Sequence, residues 1–85
     1  MRRTKPRTGG ANVAEAWTLW LLTQTGRYPV VQERQLDTAM YTLDLAVKRR
    51  QASGWTVTAR NAQRAVLRNG DRAVAFEIVR EEKNV

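Results

Sequence analysis

Eighty-five residues, with fifteen Lys or Arg against eight Asp or Glu, give a basic chain of formal charge +7 that is long enough for one small domain. It holds no His and no Cys, which excludes disulfide staples, thiolate or imidazole metal centres and His-based acid–base catalysis. Stability has to come from apolar packing or from self-association.

The charge is unevenly spread. Arg2, Arg3, Lys5 and Arg7 stand in the first ten residues with no acid among them, which leaves +3 for the rest of the chain. This basic, Thr- and Gly-containing composition predicts a flexible arm over residues 1–11, suited to following a phosphate backbone or entering a minor groove. No apolar run exceeds four residues, so nothing here is expected to span a bilayer. Glu15 interrupts what would be the apolar region of a signal peptide. The expectation is a cytoplasmic protein without a membrane partner.

After the arm, Asn12 and Glu15 have the spacing of a capping box, and Val13, Trp17, Trp20 and Leu21 fall on one helical face. These predict a first helix, stopped at Gly26. A second helix is predicted from about Val31 to Ala52, with Leu36, Met40, Leu43 and Val47 as its main stripe. Its other side carries Tyr41, Leu45 and Ala52, which calls for a second neighbour: either the first helix or another copy of the protein in a homodimer.

From Ser53-Gly54 the period changes to two. Trp55, Val57 and Ala59 alternate with polar residues and read as a strand. A second strand follows near Gln63–Arg68, then the turn signal Asn69-Gly70, then a third strand from Arg72 to about Arg80. A two-residue Asn-Gly loop pairs Leu67 with Arg72 and Ala65 with Val74, and puts Arg64, Val66 and Arg68 on the face opposite the apolar one. The predicted fold is α+β, with two N-terminal helices packed on a C-terminal three-stranded antiparallel β-meander. One domain spans residues 12–80 and is followed by a frayed tail over 81–85.

Catalytic chemistry finds little support. Glu33, Asp37 and Asp44 share a helical face, yet the plain reading is charge balance with nearby cations and not a cation site. Gly9-Gly10 lacks the lysine and serine of a phosphate loop, and Ser53, the single serine, has no histidine to activate it. The chain is read as a non-enzyme with no cofactor.

The basic groups offer more. Lys48, Arg49 and Arg50 end the second helix, where positive charge also complements the helix dipole; Arg50 is placed to lie over the core. Arg60, Arg64 and Arg68 form a row on one sheet face, unless a single bulge moves Arg60 to the other. Trp17, Trp20 and Trp55 read as core residues. A helix-turn-helix reading is weakened by the length and two-sided apolarity of the second helix.

The function these residues point to is a small, non-catalytic nucleic-acid-binding accessory or regulatory protein. Its contacts with DNA or RNA would be made by Arg2, Arg3, Lys5, Arg7, Lys48, Arg49, Arg60, Arg64 and Arg68. The competing function is a small protein-binding adaptor or inhibitor of the kind phages and plasmids encode. It would act through Tyr41, Leu45 and Ala52 or through a strand edge, with an acidic protein as partner.

Overall fold

The computed structural model describes residues 13–84, and for Val13, Ala14, Lys83 and Asn84 the backbone alone. The expected arm over residues 1–11, with Arg2, Arg3, Lys5 and Arg7, lies outside the described residues. The elements are β1 (Val13–Thr23), β2 (Gly26–Glu33), α1 (Leu36–Ala52), β3 (Thr56–Asn61), β4 (Arg64–Asn69) and β5 (Arg72–Asn84). All five strands form one antiparallel sheet in the order β2-β1-β5-β4-β3, and α1 packs across one face of it.

This corrects the expectation of two N-terminal helices on a three-stranded meander. Val13–Thr23 is a strand, and the second apolar segment begins as another. In β1, Trp17, Leu19 and Leu21 face the helix and join or flank the core, while Thr18, Trp20 and Leu22 alternate onto the other face. As the middle strand of β2-β1-β5, β1 has its backbone groups paired on both sides, which satisfies them as fully as a helix would. The helix-turn-helix reading falls with the first helix.

The helix itself starts at Leu36 and not near Val31. Ala39, Leu43 and Val47 are buried against the sheet, with Leu36, Met40 and Ala46 beside them. Tyr41 is 66% exposed and Leu45 37% exposed, and Ala52 is exposed as well. The first helix expected to cover them is absent, so this side of α1 meets solvent.

The C-terminal half follows the expected order with a shifted register. Leu67 stands opposite Val74 and Ala65 opposite Phe76, because Asn69 pairs with Arg72 and the loop is Gly70-Asp71. The shift is two residues, so every side chain keeps its face. Gly70 has φ +62, a left-handed value that costs other L-residues steric strain. The strand β5 does not stop near Arg80. It runs to Asn84, where residues expected to fray pair with β1 through Val13–Asn84 and Glu15–Glu82. Leu19, Leu43 and Leu67 are fully buried at the centre, surrounded by Val47, Trp55, Phe76 and Ile78. Each large apolar side chain removed from water in this way contributes about 1.5–3 kcal/mol.

Candidate nucleic-acid interface

The sheet has two unlike faces. One is covered by α1; the other has no helix over it among the described residues. Arg64 and Arg68 stand on the uncovered face, exposed, opposite Glu77 and Ala73 of β5. The Arg64 guanidinium lies 4.0 Å from a Glu77 carboxylate oxygen. Arg68 donates a long hydrogen bond of 3.5 Å to the Gly70 carbonyl. Two residues four apart on a strand are separated by roughly 13 Å, so the pair can touch separate phosphates of one backbone.

Arg60 does not join them. Val57 pairs with Leu67 and Ala59 with Val66, which leaves Thr58 as an extra residue in β3. This bulge turns Arg60 to the helix side, where its guanidinium reaches Asp44 at 3.8 Å and its Nε donates to the Asn61 carbonyl at 3.0 Å. Asp44 also holds Lys48 at 3.0 Å one helical turn on. Lys48 and Arg60 thus share one carboxylate on the helix side, away from Arg64 and Arg68. Glu33 and Asp37 do not complete a metal site with Asp44: among the described residues no group of three or more possible ligands gathers.

Sequence reasoning missed Trp20 and Arg27. Trp20 is not core. It lies half-buried on the uncovered face, with the Arg27 guanidinium carbon 4.3 Å from its ring centroid and its indole N–H without a hydrogen-bond partner among the described residues. Strand alternation through β1 and β2, had it been recognised, puts these two residues on one face.

The helix C-terminus builds the other missed feature. Gly54 N–H donates to the Gln51 carbonyl at 3.1 Å and Trp55 N–H to the Arg50 carbonyl at 3.0 Å, the two bonds of a Schellman closure around a glycine with φ +96. The closure swings Trp55 back under the last turn. Arg50 then covers its ring at 4.9 Å and lies 5.8 Å from the Phe76 ring, as expected of an arginine lying over the core. Arg72 approaches the same Trp55 ring at 5.8 Å from the β4–β5 hairpin. A cleft of about 250 Å³ opens there between Thr23, Thr25, Arg50, Trp55 and Arg72. A second, of about 400 Å³, includes Arg49, Arg50 and Trp55.

The register sorts charge along the strands. At the end formed by the β1–β2 and β4–β5 turns and the helix C-terminus stand Arg27, Arg49, Arg50, Arg68 and Arg72, with Asp71 the only acid. At the opposite end stand Glu15, Glu33, Asp37, Glu81 and Glu82. There Arg80 bridges Glu15 at 3.1 Å and Glu82 at 3.4 Å, and the hydrogen bond and charge of Glu15 raise its pKa above the ordinary arginine value. The buried Thr18 hydroxyl donates to Glu81 at 2.9 Å and accepts from the Gln32 amide at 3.2 Å. At the acidic end Glu15, Glu81 and Glu82 are held by these contacts, whereas Arg27, Arg49, Arg50, Arg68 and Arg72 have no carboxylate partner among the described residues.

No helix among the described residues is long and apolar enough to cross a membrane. No protein-family model, curated protein or solved structure matches the chain.

Proposed function

We propose that the protein is a small, non-catalytic nucleic-acid-binding accessory protein that holds phosphates along the β4–β5 hairpin. The observation that carries this reading is the arginine-rich end, where five guanidinium groups meet one acid and none of the five has a carboxylate partner among the described residues. Guanidinium forks match phosphate oxygens in pairs and remain charged at any working pH. Arg64 and Arg68 lead along the uncovered face to the hairpin tip, and Arg27 on Trp20 adds a cation beside an aromatic surface on the same face. Lys48 and Arg60, held by Asp44, are not part of this track, and the arm contributes charge from outside it.

The test is fluorescence anisotropy of the full chain with labelled single-stranded DNA, double-stranded DNA and RNA over a salt series. Affinity should fall with log salt by roughly 0.9 log units per duplex phosphate neutralised, or 0.7 on single strands. A flat salt response, or no binding to any of the three, refutes the reading.

A second reading rests on its own observation. Tyr41 and Leu45 stand exposed in a row on the solvent side of α1, as a protein-binding adaptor requires. In that case a protein partner survives nuclease treatment and is lost on substitution at Leu45.

A further inference from the structure

We infer that the cleft between Arg50, Trp55 and Arg72 is a site for a phosphate monoester, and that on the proposed function, on which this inference rests, its ligand is the terminal phosphate of a polynucleotide strand. Both guanidinium groups are held against one indole ring, at 4.9 Å and 5.8 Å, so their orientation is set by stacking before any ligand arrives. Trp55 is itself fixed, being buried and closed by the hydrogen bond to the Arg50 carbonyl. Among the described residues Arg50 and Arg72 make ring contacts but no ion pair or hydrogen bond through their guanidinium N–H groups, and Arg49, in the adjoining cleft, makes no ion pair or side-chain hydrogen bond either. Thr23 and Thr25 also line the cleft, with their hydroxyls hydrogen-bonded to each other at 3.0 Å and Thr23 donating to the Gly26 carbonyl at 3.2 Å.

Among the described residues two cations without a carboxylate partner line this cleft and a third lines the adjoining one, an arrangement poorly matched by a carboxylate or an internal phosphodiester, each of which carries a single charge. A terminal monoester carries about −1.5 to −2 at neutral pH and three acceptor oxygens. The position also fits a strand end. Arg64 and Arg68 run along the uncovered face to the hairpin tip, Arg72 turns to the other side of that tip, and the β1–β2 loop closes the far wall of the cleft.

The experiment uses the full chain and one labelled oligonucleotide sequence in three forms, with a phosphate at the 5′ end, at the 3′ end or at neither. Adenosine monophosphate serves as a separate ligand, followed by tryptophan fluorescence. One phosphorylated form should bind roughly tenfold tighter than the unphosphorylated one, the range expected of charge-assisted hydrogen bonds. The double variant Arg49→Gln, Arg72→Gln should lose that preference, so that all three forms bind it with the same, lowered affinity. It spares Arg50, whose packing on Trp55 is structural, and its thermal transition should match that of the parent. Equal binding of the three forms overturns the inference and leaves the proposed function standing. Binding of adenosine monophosphate without any oligonucleotide upholds the site, with a free nucleotide as its ligand, and overturns the proposed function. Binding of none overturns both.

Discussion

Arg60 and Arg64 are four residues apart on adjacent strands, yet they leave the sheet on opposite faces. Arg60 bonds to Asp44 of the helix, whereas Arg64 faces Glu77 on the uncovered side. The cause is the single extra residue, Thr58, whose hydroxyl donates to the Val66 carbonyl at 3.3 Å. The two arginines should therefore separate in a binding experiment. Arg60→Gln is expected to leave polynucleotide affinity unchanged. Arg64→Gln with Arg68→Gln should weaken it and lower the salt slope by roughly 1.4 to 1.8, the release expected from two phosphates. Equal losses from the two sites would mean that the face on which an arginine stands does not matter.

The strand character of β1 has its own thermodynamic signature. Leu19 is fully buried under α1, and Leu22 is half-buried on the other face. In a helix these residues, three apart, would share a face and cost similar amounts to truncate. In the sheet, Leu19→Ala should cost about 2–5 kcal/mol and Leu22→Ala about 1 kcal/mol or less, the value for a partly exposed methylene set. Urea unfolding of the two variants measures the difference directly.

This same segment shows why half of the fold was hidden in the sequence. From Trp17 to Leu22 nearly every position is apolar, so periods of 2 and 3.6 fit equally well, and Asn12 with Glu15 imitates a helix start. What decides the matter is pairing with β5, some sixty residues later, which no local pattern carries. The local evidence for strands was Thr18, Thr23, Tyr28, Val30 and Val31, β-branched or aromatic residues around the Thr23–Gly26 turn. The second half was readable because Trp55–Ala59 and Val74–Ile78 alternate cleanly and Gly70 marks the turn. Of the site, the Arg64–Arg68 pair was legible from alternation alone. Arg72 was not: its contact with Trp55 depends on the Schellman closure bringing the helix end beside the hairpin.

Gly70 provides a local test of that hairpin. At φ +62 an added Cβ meets nothing within 4 Å, so any cost of substitution is backbone strain and not crowding. Gly70→Ala should destabilise the fold by about 1–2 kcal/mol. Gly70→Asn should recover most of that loss, because asparagine tolerates the left-handed region. Thermal unfolding of the pair distinguishes this from a contact effect, in which the larger asparagine would do more harm than alanine.

The solvent side of α1 should be dispensable for folding. Tyr41→Ser and Leu45→Glu remove exposed apolar surface without touching Ala39, Leu43 or Val47, so each should change unfolding free energy by no more than about 0.5 kcal/mol. Leu43→Asp, one helical position from Thr42 but fully buried, should abolish the cooperative transition through an unpaired charge in the core. If Leu45→Glu unfolded the protein, or lowered its mass in sedimentation, the row would be a seam between copies.

The N-terminal arm and the arginine-rich end should act independently. Val13 pairs with Asn84 at the acidic end of the sheet, so the chain carrying Arg2, Arg3, Lys5 and Arg7 joins β1 at the end opposite Arg68 and Arg72. The strand between the two ends has 11 residues, roughly 35 Å at strand rise, well beyond the separation at which substitutions usually couple. Removing residues 1–8 should weaken polynucleotide binding and leave the thermal transition in place. Combined with Arg64→Gln and Arg68→Gln, it should give losses that add to within about 0.5 kcal/mol. A markedly smaller combined loss would show that the arm and the hairpin hold the same phosphates, with the arm folding back along the uncovered face to reach them.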